Sequence, residues 1–519
     1  MNAIPQSNEA PSGVNPQRRI GMGGPDDPVF TKLSAGILVL VVALFVFTRL
    51  WHLTAFSLWT DEIFSLKAAR GPWGRMFETL ILDKVHPPLF YIILKIWIAI
   101  GGQSLLWLKL LPVVTAVVTI IPFFLLCREL NLSARATNVG LLLMAVNGYL
   151  IHYAQEVRMY TLLLLFTATS FWLFVRMLNH EGNRKRDFLF LLIANLLLVY
   201  THYFGWLVVG VEGFFLLWRD RRKFLIFSTS VLAVALCFSP WVYLVLRAIW
   251  MKQGPTNGLD WIKPPHLSSL VAYFADLCGP LNFPGSTYVR LLLFGGPVLL
   301  WFWHVIKRDQ TGSRNHRAVF WWLFTSFALP LTFVYMFSIL GPKSIWHERQ
   351  LMISVAPFLL LVVTALDRLH PRWLRAAALL FVVTWSALGG FRDVNEGDDL
   401  TRINWQNMAS KMVHVESPDV EGIKVYVFQQ NVERPIEFYL DETHERRFQP
   451  IFVPDVRSVE GQHFWIAFRE SREIERGVPP LNILKDKGYR TGEGSITGRP
   501  GHRVYLIPVW REAVGTKPA

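Results

Sequence analysis

Over 519 residues the chain carries 52 Lys and Arg against 38 Asp and Glu, a formal charge of +14, yet it is 52% hydrophobic, 14% aromatic and only 17% charged. That apolar excess excludes a disordered chain, and so much Phe and Trp beside so little charge excludes a basic nucleic-acid-binding protein. Three widely spaced cysteines, Cys127, Cys237 and Cys278, point to neither a disulfide framework nor a zinc site, and what remains is a polytopic membrane protein.

In chain order, residues 1–32 read as a polar, disordered tail containing Arg18-Arg19, with no small-residue cleavage site after the first apolar run. The stretch 33–50 is long enough to cross the hydrocarbon core, at roughly 18–20 residues per span. Further apolar stretches follow at 105–126, 136–152, 160–178, 188–203, 205–218, 224–246, 287–306, 319–340, 351–366 and 373–391. The expected architecture is therefore an α-helical polytopic membrane protein with about 11 transmembrane helices. Basic residues collect in alternate connections: Arg128 and Arg135, then 184–186, 219–223, 307–317 and 368–375, joined by Arg18, Arg19 and Lys32 of the tail. That side is expected to be cytoplasmic, in a plasma (inner) membrane. The opposite connections hold Trp51, Trp59, Trp73, Tyr153, Tyr203, Trp250 and Trp261, which read as anchors at the outer interface.

The stretch 86–102 breaks the charge alternation if counted as a span, starts with Pro87-Pro88 and contains Lys95, so it reads as a helix lying along the outer interface in the first outer loop. After residue 391 hydropathy drops, and 392–519 hold 18 basic and 20 acidic residues. There the runs KVYVFQQ, FWIAFRE and HRVYLIPVW read as strands and ERPIEFYL as a helix, so 392–519 form a small soluble α/β domain on the outer side, behind a membrane domain of 33–391. No internal repeat is evident, which counts against an inverted-repeat transporter.

Chemistry-bearing residues gather in the outer connections. Asp61 and Glu62 in Trp59-Thr60-Asp61-Glu62 read either as caps of a helix starting near Ile63 or as a carboxylate in a partly dry cleft that accepts a proton from a hydroxyl. His86 follows Asp83 and Lys84 and reads as a cap, a donor to ligand or a metal ligand. In Tyr153-Ala154-Gln155-Glu156-Val157-Arg158-Met159-Tyr160, charges wedged between apolar runs require a partner. Glu156 and Arg158 either pair locally or offer the Arg158 fork to a phosphate. Lys109 reads as a snorkelling lysine or a phosphate contact, and Arg349 as an ion pair with its neighbour Glu348 or a phosphate contact. Three cations and two acidic centres on one face suit an anionic lipid headgroup and an acid–base residue.

Together and in this order, Trp59-Thr60-Asp61-Glu62, His86-Pro87-Pro88-Leu89, the 153–160 segment, a basic residue at 109 and Glu348-Arg349-Gln350-Leu351 resemble the GT-C superfamily of integral-membrane glycosyltransferases. The resemblance is to bacterial members related to protein O-mannosyltransferases and aminoarabinose transferases, and it covers roughly 33–390. It implies transfer of one hexose or pentose, with inversion, from a polyprenyl-phosphate donor to a glycan, lipid or protein acceptor at the outer face. It implies Asp61 as the general base, with Glu62 supporting the acceptor or orienting Asp61. Lys109, Arg158 and Arg349 would offset charge on the departing phosphate, and Lys84, His86, Glu156 and Tyr160 would shape the pocket. Position 109 departs from the arginine common in the family. Some relatives hold a divalent metal, but no convincing ligand set is visible here. A transporter or flippase of a lipid-linked sugar, or a sensor reading an envelope lipid through 392–519, are the alternatives.

Overall fold

The computed structural model describes residues 28–180, 184–254, 262–279, 281–307, 314–396, 403–470, 480–497 and 503–511. The tail expected over 1–32 falls outside the described residues up to position 27, as do Arg18, Arg19, Arg308 and Trp261. From residue 28 the chain is already helical.

The first half comprises α1 (Pro28–Leu50), α2 (Thr60–Arg70), α3 (Trp73–Asp83), α4 (Leu89–Gly101), α5 (Leu105–Val118), α6 (Ile120–Glu129), α7 (Ala134–Val146), α8 (Gly148–Ala154), α9 (Tyr160–Asn179), α10 (Arg184–Thr201), α11 (Gly205–Arg219) and α12 (Arg221–Trp250). There follow α13 (Leu267–Cys278), α14 (Ser286–Arg290), α15 (Gly296–Lys307), α16 (Arg314–Leu340), α17 (Val355–Leu366) and α18 (Arg372–Glu396). Helix occupies each of the eleven stretches expected to be apolar spans. Seven helices among the described residues are long and apolar enough to cross a membrane, which makes this a multi-pass membrane protein.

Several expected spans are broken, for local reasons. The stretch 136–152 divides at Asn147, whose Oδ1 accepts from the Leu150 N–H at 3.1 Å and so starts α8. A 3-10 turn, Glu348–Ser354, precedes α17, and a π-helical turn, Leu291–Gly295, joins α14 to α15. The helix α13 carries no signal long enough to be read as a span. All twelve residues of α17 are buried, so it is the central helix, apolar all round because every side of it meets protein.

The connection between α1 and α5 holds three short helices, α2, α3 and α4. Its last, α4, starts at Leu89 rather than at His86, because Pro87 and Pro88 precede it. It is stapled to α5 by two tryptophans. Trp97 Nε1 donates to the Trp107 carbonyl at 2.7 Å, Trp107 Nε1 donates to the Trp97 carbonyl at 2.8 Å, and the rings stack 4.4 Å apart. A Cβ on Gly101 would lie 2.1 Å from the Trp107 ring. Gly101→Ala is therefore expected to destabilise the protein by about 1–3 kcal/mol, the usual cost of overpacking, because the Trp107 ring cannot retreat without giving up its bond to the Trp97 carbonyl and its stack on the Trp97 ring. Thermal unfolding in detergent checks this, with Gly74→Ala, where no atom lies within 4 Å, as the control expected to leave the midpoint unchanged.

After α18 come α19 (Trp405–Val415), α20 (Gln430–Glu442) and α21 (Pro480–Asp486), with strands β1 (Ile423–Val427), β2 (Phe448–Phe452), β3 (His463–Arg469), β4 (Tyr489–Thr491), β5 (Ser495–Thr497) and β6 (Val504–Arg511). They form one mixed sheet of order β2-β1-β3-β6-β4, with β5 also on β6. β1 is parallel to β2 and β3, whereas β6 is antiparallel to β3, β4 and β5. The three strands and the helix read from hydropathy are present; β2, β4 and β5 are short edge elements without an alternating pattern strong enough to read.

Candidate active site

Asp61 is the second residue of α2, whose partly positive end favours a carboxylate. Its Oδ2 accepts from Arg349 Nη1 at 2.9 Å. The Asp61 carbonyl accepts from Arg158 Nη1 at 3.1 Å and from Ser65 Oγ at 3.0 Å, and Arg158 Nη1 also reaches Ser65 Oγ at 3.0 Å. Arg158 Nη2 faces His86 Nε2 at 3.4 Å. A guanidinium only donates, so this His86 nitrogen is the acceptor and the ring proton sits on Nδ1, toward Asp83 Oδ2 3.7 Å away. The Arg349 guanidinium also lies over the rings of Trp59 and Tyr160, at 5.6 and 5.9 Å.

The cluster is dry except at one point. Arg158, His86, Tyr91 and Tyr160 are buried, whereas the Asp61 side chain keeps 28% of its surface exposed. Burial alone would push the Asp61 carboxyl up, but Arg158 and Arg349 outweigh it and hold it below the ordinary carboxylate value. Burial, then Arg158, hold His86 well below its ordinary value, so it is neutral. Burial raises Asp83, against the pull of Arg158.

Glu62 faces the other way. Consecutive helical residues point about 100° apart, so one carboxylate of the pair turns outward and the other into the protein. Glu62 is 1% exposed, and its two oxygens accept from the Trp59 N–H at 3.1 Å and the Val157 N–H at 2.7 Å. Burial, reinforced by Glu156 and opposed by Lys109, pushes it up to about 7. Lys109 stands in this inner layer, buried, with Nζ donating to the Phe56 carbonyl at 2.9 Å. Glu156 is buried beside His152, at 3.0 Å. The fold thus joins Asp61, Arg158, Arg349, His86 and Tyr160 in one group and Glu62, Lys109 and Glu156 in a second behind it. The Arg349 ion pair is with Asp61, across 288 positions. Ser65 and Tyr91 complete the first group, and no motif in the sequence marked them.

Lys84 stands apart, in the left-handed region at φ 62, ending α3 and turning the chain toward His86. It lines a cavity of about 710 Å³, as do His202 and Gln350. The walls of this cavity are apolar: Trp206, Leu207 and Phe214 of α11 face Leu329, Phe333 and Phe337 of α16. The His202 ring lies 5.8 Å from that of His86, so the cavity adjoins the Asp61 cluster at His202. Among the described residues, no group of three or more His, Cys, Asp or Glu side chains is placed to hold a metal ion, and the Asp61 carboxylate is taken by arginine.

No protein-family model and no curated protein matches the sequence. Solved structures do. ArnT from Cupriavidus metallidurans, bound to undecaprenyl phosphate, matches with TM-score 0.54 and 15% identity over 91% of this chain and 98% of that one. Its apo state gives TM-score 0.54 and 15% identity over 92% and 98%. The archaeal oligosaccharyltransferase AglB from Archaeoglobus fulgidus, in complex with an inhibitory peptide and a dolichol-phosphate, matches with TM-score 0.52 and 12% identity over 92% of this chain and 74% of that one. The chain shares its fold with ArnT and with AglB.

Proposed function

We propose that this protein is an inverting glycosyltransferase that moves one sugar from a polyprenyl-phosphate carrier to an acceptor hydroxyl. The observation that carries the reading is an apolar cavity between α11 and α16 that adjoins, through His202, a cluster in which Arg349 bonds the Asp61 carboxylate and Arg158 the Asp61 carbonyl. Such a cavity suits an isoprenoid tail, and ArnT of the same fold binds undecaprenyl phosphate. With His86 neutral, Asp61, Arg158 and Arg349 sum to one positive charge, matched to a phosphate anion.

In the reaction the acceptor oxygen attacks the anomeric carbon while the bond from that carbon to the phosphate oxygen breaks. Asp61 takes the acceptor proton, and the carrier leaves as polyprenyl phosphate. Charge grows on the phosphate as the bond breaks, so Arg349 and Arg158 bind the transition state better than the donor, which is what accelerates the step. Phosphate is a good leaving group, so a base and cations suffice without a general acid. Glu62 and Lys109 act by holding the loop in front of Asp61, while Lys84, His86, Glu156 and Tyr160 shape the pocket. The basic connections support a cytoplasmic N-terminus, with the 392–519 domain and the site on the opposite side.

Purified protein in liposomes, given undecaprenyl phosphate carrying radiolabelled hexoses or pentoses and an envelope glycan and lipid extract, is expected to release one free undecaprenyl phosphate per sugar transferred. Donor that crosses the bilayer intact, with no release of lipid phosphate, would establish a flippase instead.

A further inference from the structure

We infer that the C-terminal domain positions Asp61, through a clamp that the Tyr439 hydroxyl makes on the peptide groups of Leu58. The inference deepens the glycosyltransferase reading and, for its activity arm, rests on it.

Tyr439 lies on α20 and is buried. Its hydroxyl accepts from the Leu58 N–H at 2.8 Å and donates to the Leu58 carbonyl at 3.3 Å. One side chain thus serves both peptide groups of a residue three positions before Asp61. Leu58 is itself buried, so water cannot take over either bond. Beside it, Ser57 Oγ donates to the Ile403 carbonyl at 3.2 Å and accepts from the Gln406 N–H at 3.4 Å, both at the start of α19.

The far end of α2 is held by the same helix of the domain. Arg70 pairs with Glu442 at 2.5 and 3.3 Å, and Lys67 and Arg70 lie over the Phe438 ring at 5.8 and 5.5 Å. Two attachments about 16 Å apart, by the rise of an eleven-residue helix, fix the rotation of α2 about its own axis. That rotation decides whether Asp61 meets Arg349, because a turn of one residue position would present Thr60 or Glu62 instead. From the membrane part, the same loop is held by Lys109 on the Phe56 carbonyl and by Glu62 on the Trp59 N–H. Tyr439 closes this bracket from the other side and touches neither the cavity nor Arg158. It is a positioning residue, and the C-terminal domain is part of the active-site frame.

The test is Tyr439→Phe in the full chain, which keeps the ring and its packing and removes only the clamp. Turnover is expected to fall tenfold or more, with KM for undecaprenyl-phosphate sugar within twofold of the unmodified protein. Hydrogen exchange across residues 55–62 is expected to speed up at least tenfold, with α9 and α17 unchanged. Ser57→Ala, which loosens the neighbouring contact to α19, should move both readouts the same way by less. A merely structural tyrosine would lower the unfolding midpoint and leave turnover per folded molecule intact, and that result overturns the proposal. So does a loss of turnover without faster exchange across 55–62. If the unmodified protein transfers no sugar, the glycosyltransferase reading fails, while the exchange measurement still decides whether the clamp exists.

Discussion

Asp61→Asn is expected to lower kcat by about 10²–10⁴-fold, the range for a positioned general base. Asparagine keeps the shape at this site and still presents an oxygen to Arg349 Nη1, so the Asp61 carboxylate is lost without a cavity. The sign of the binding effect separates this from a folding defect. Removing one negative charge beside Arg158 and Arg349 leaves the site more positive, so undecaprenyl phosphate should bind as tightly as before or tighter. Because the two arginines hold Asp61 below the ordinary carboxylate value, the unmodified protein should keep this carboxylate ionised throughout neutral and mildly acidic pH. Turnover with purified donor and calorimetry with the carrier phosphate measure the two effects. Retention of most of the turnover in Asp61→Asn would remove the base from Asp61.

The second large effect is expected at Arg349, which in the proposed mechanism connects the base to the leaving group. Arg349→Ala should cost about 10²–10³ in kcat/KM, as for loss of one preorganised electrostatic partner of the transition state. It should also move the acid limb of the pH profile upward. Burial raises Asp61 and the cations lower it, so taking one cation away leaves burial less opposed. A base with a higher value is protonated sooner as pH falls, and activity is lost at a higher pH than in the unmodified protein. Arg349→Lys keeps the charge but not the planar fork over Trp59 and Tyr160, so it should restore the acid limb more fully than the rate. A pH series of kcat/KM for the three proteins checks this, and an acid limb that stays in place in Arg349→Ala would show that Arg349 does not govern Asp61.

Much of the frame was legible in the sequence because it rests on local physics. A hydrocarbon core demands long apolar helices, and helix stands at every apolar stretch read as a span. Short β-rich runs marked β1, β3 and β6, and the helix-like run ERPIEFYL marked α20. The breaks in these elements were harder to read. The division of 136–152 comes from one side chain, Asn147, whose capping bond outweighs the apolar pattern around it.

By itself, the sequence determined the membrane class, the small sheet domain and the segments that carry charge, because hydropathy and charge are properties of neighbours along the chain. Only the tertiary structure decided which carboxylate of the Asp61-Glu62 pair faces outward, since two adjacent residues on a helix differ by a rotation that means nothing until a partner helix is in place. It decided too that Arg349 reaches Asp61 across 288 positions, that Lys109 stands behind the loop with Glu62, and that an apolar cavity opens beside the cluster. Tyr439 belongs to the same class: its hydroxyl meets Leu58 across 381 positions. Contacts at that separation are set by how finished elements pack, and no local pattern of residues encodes them.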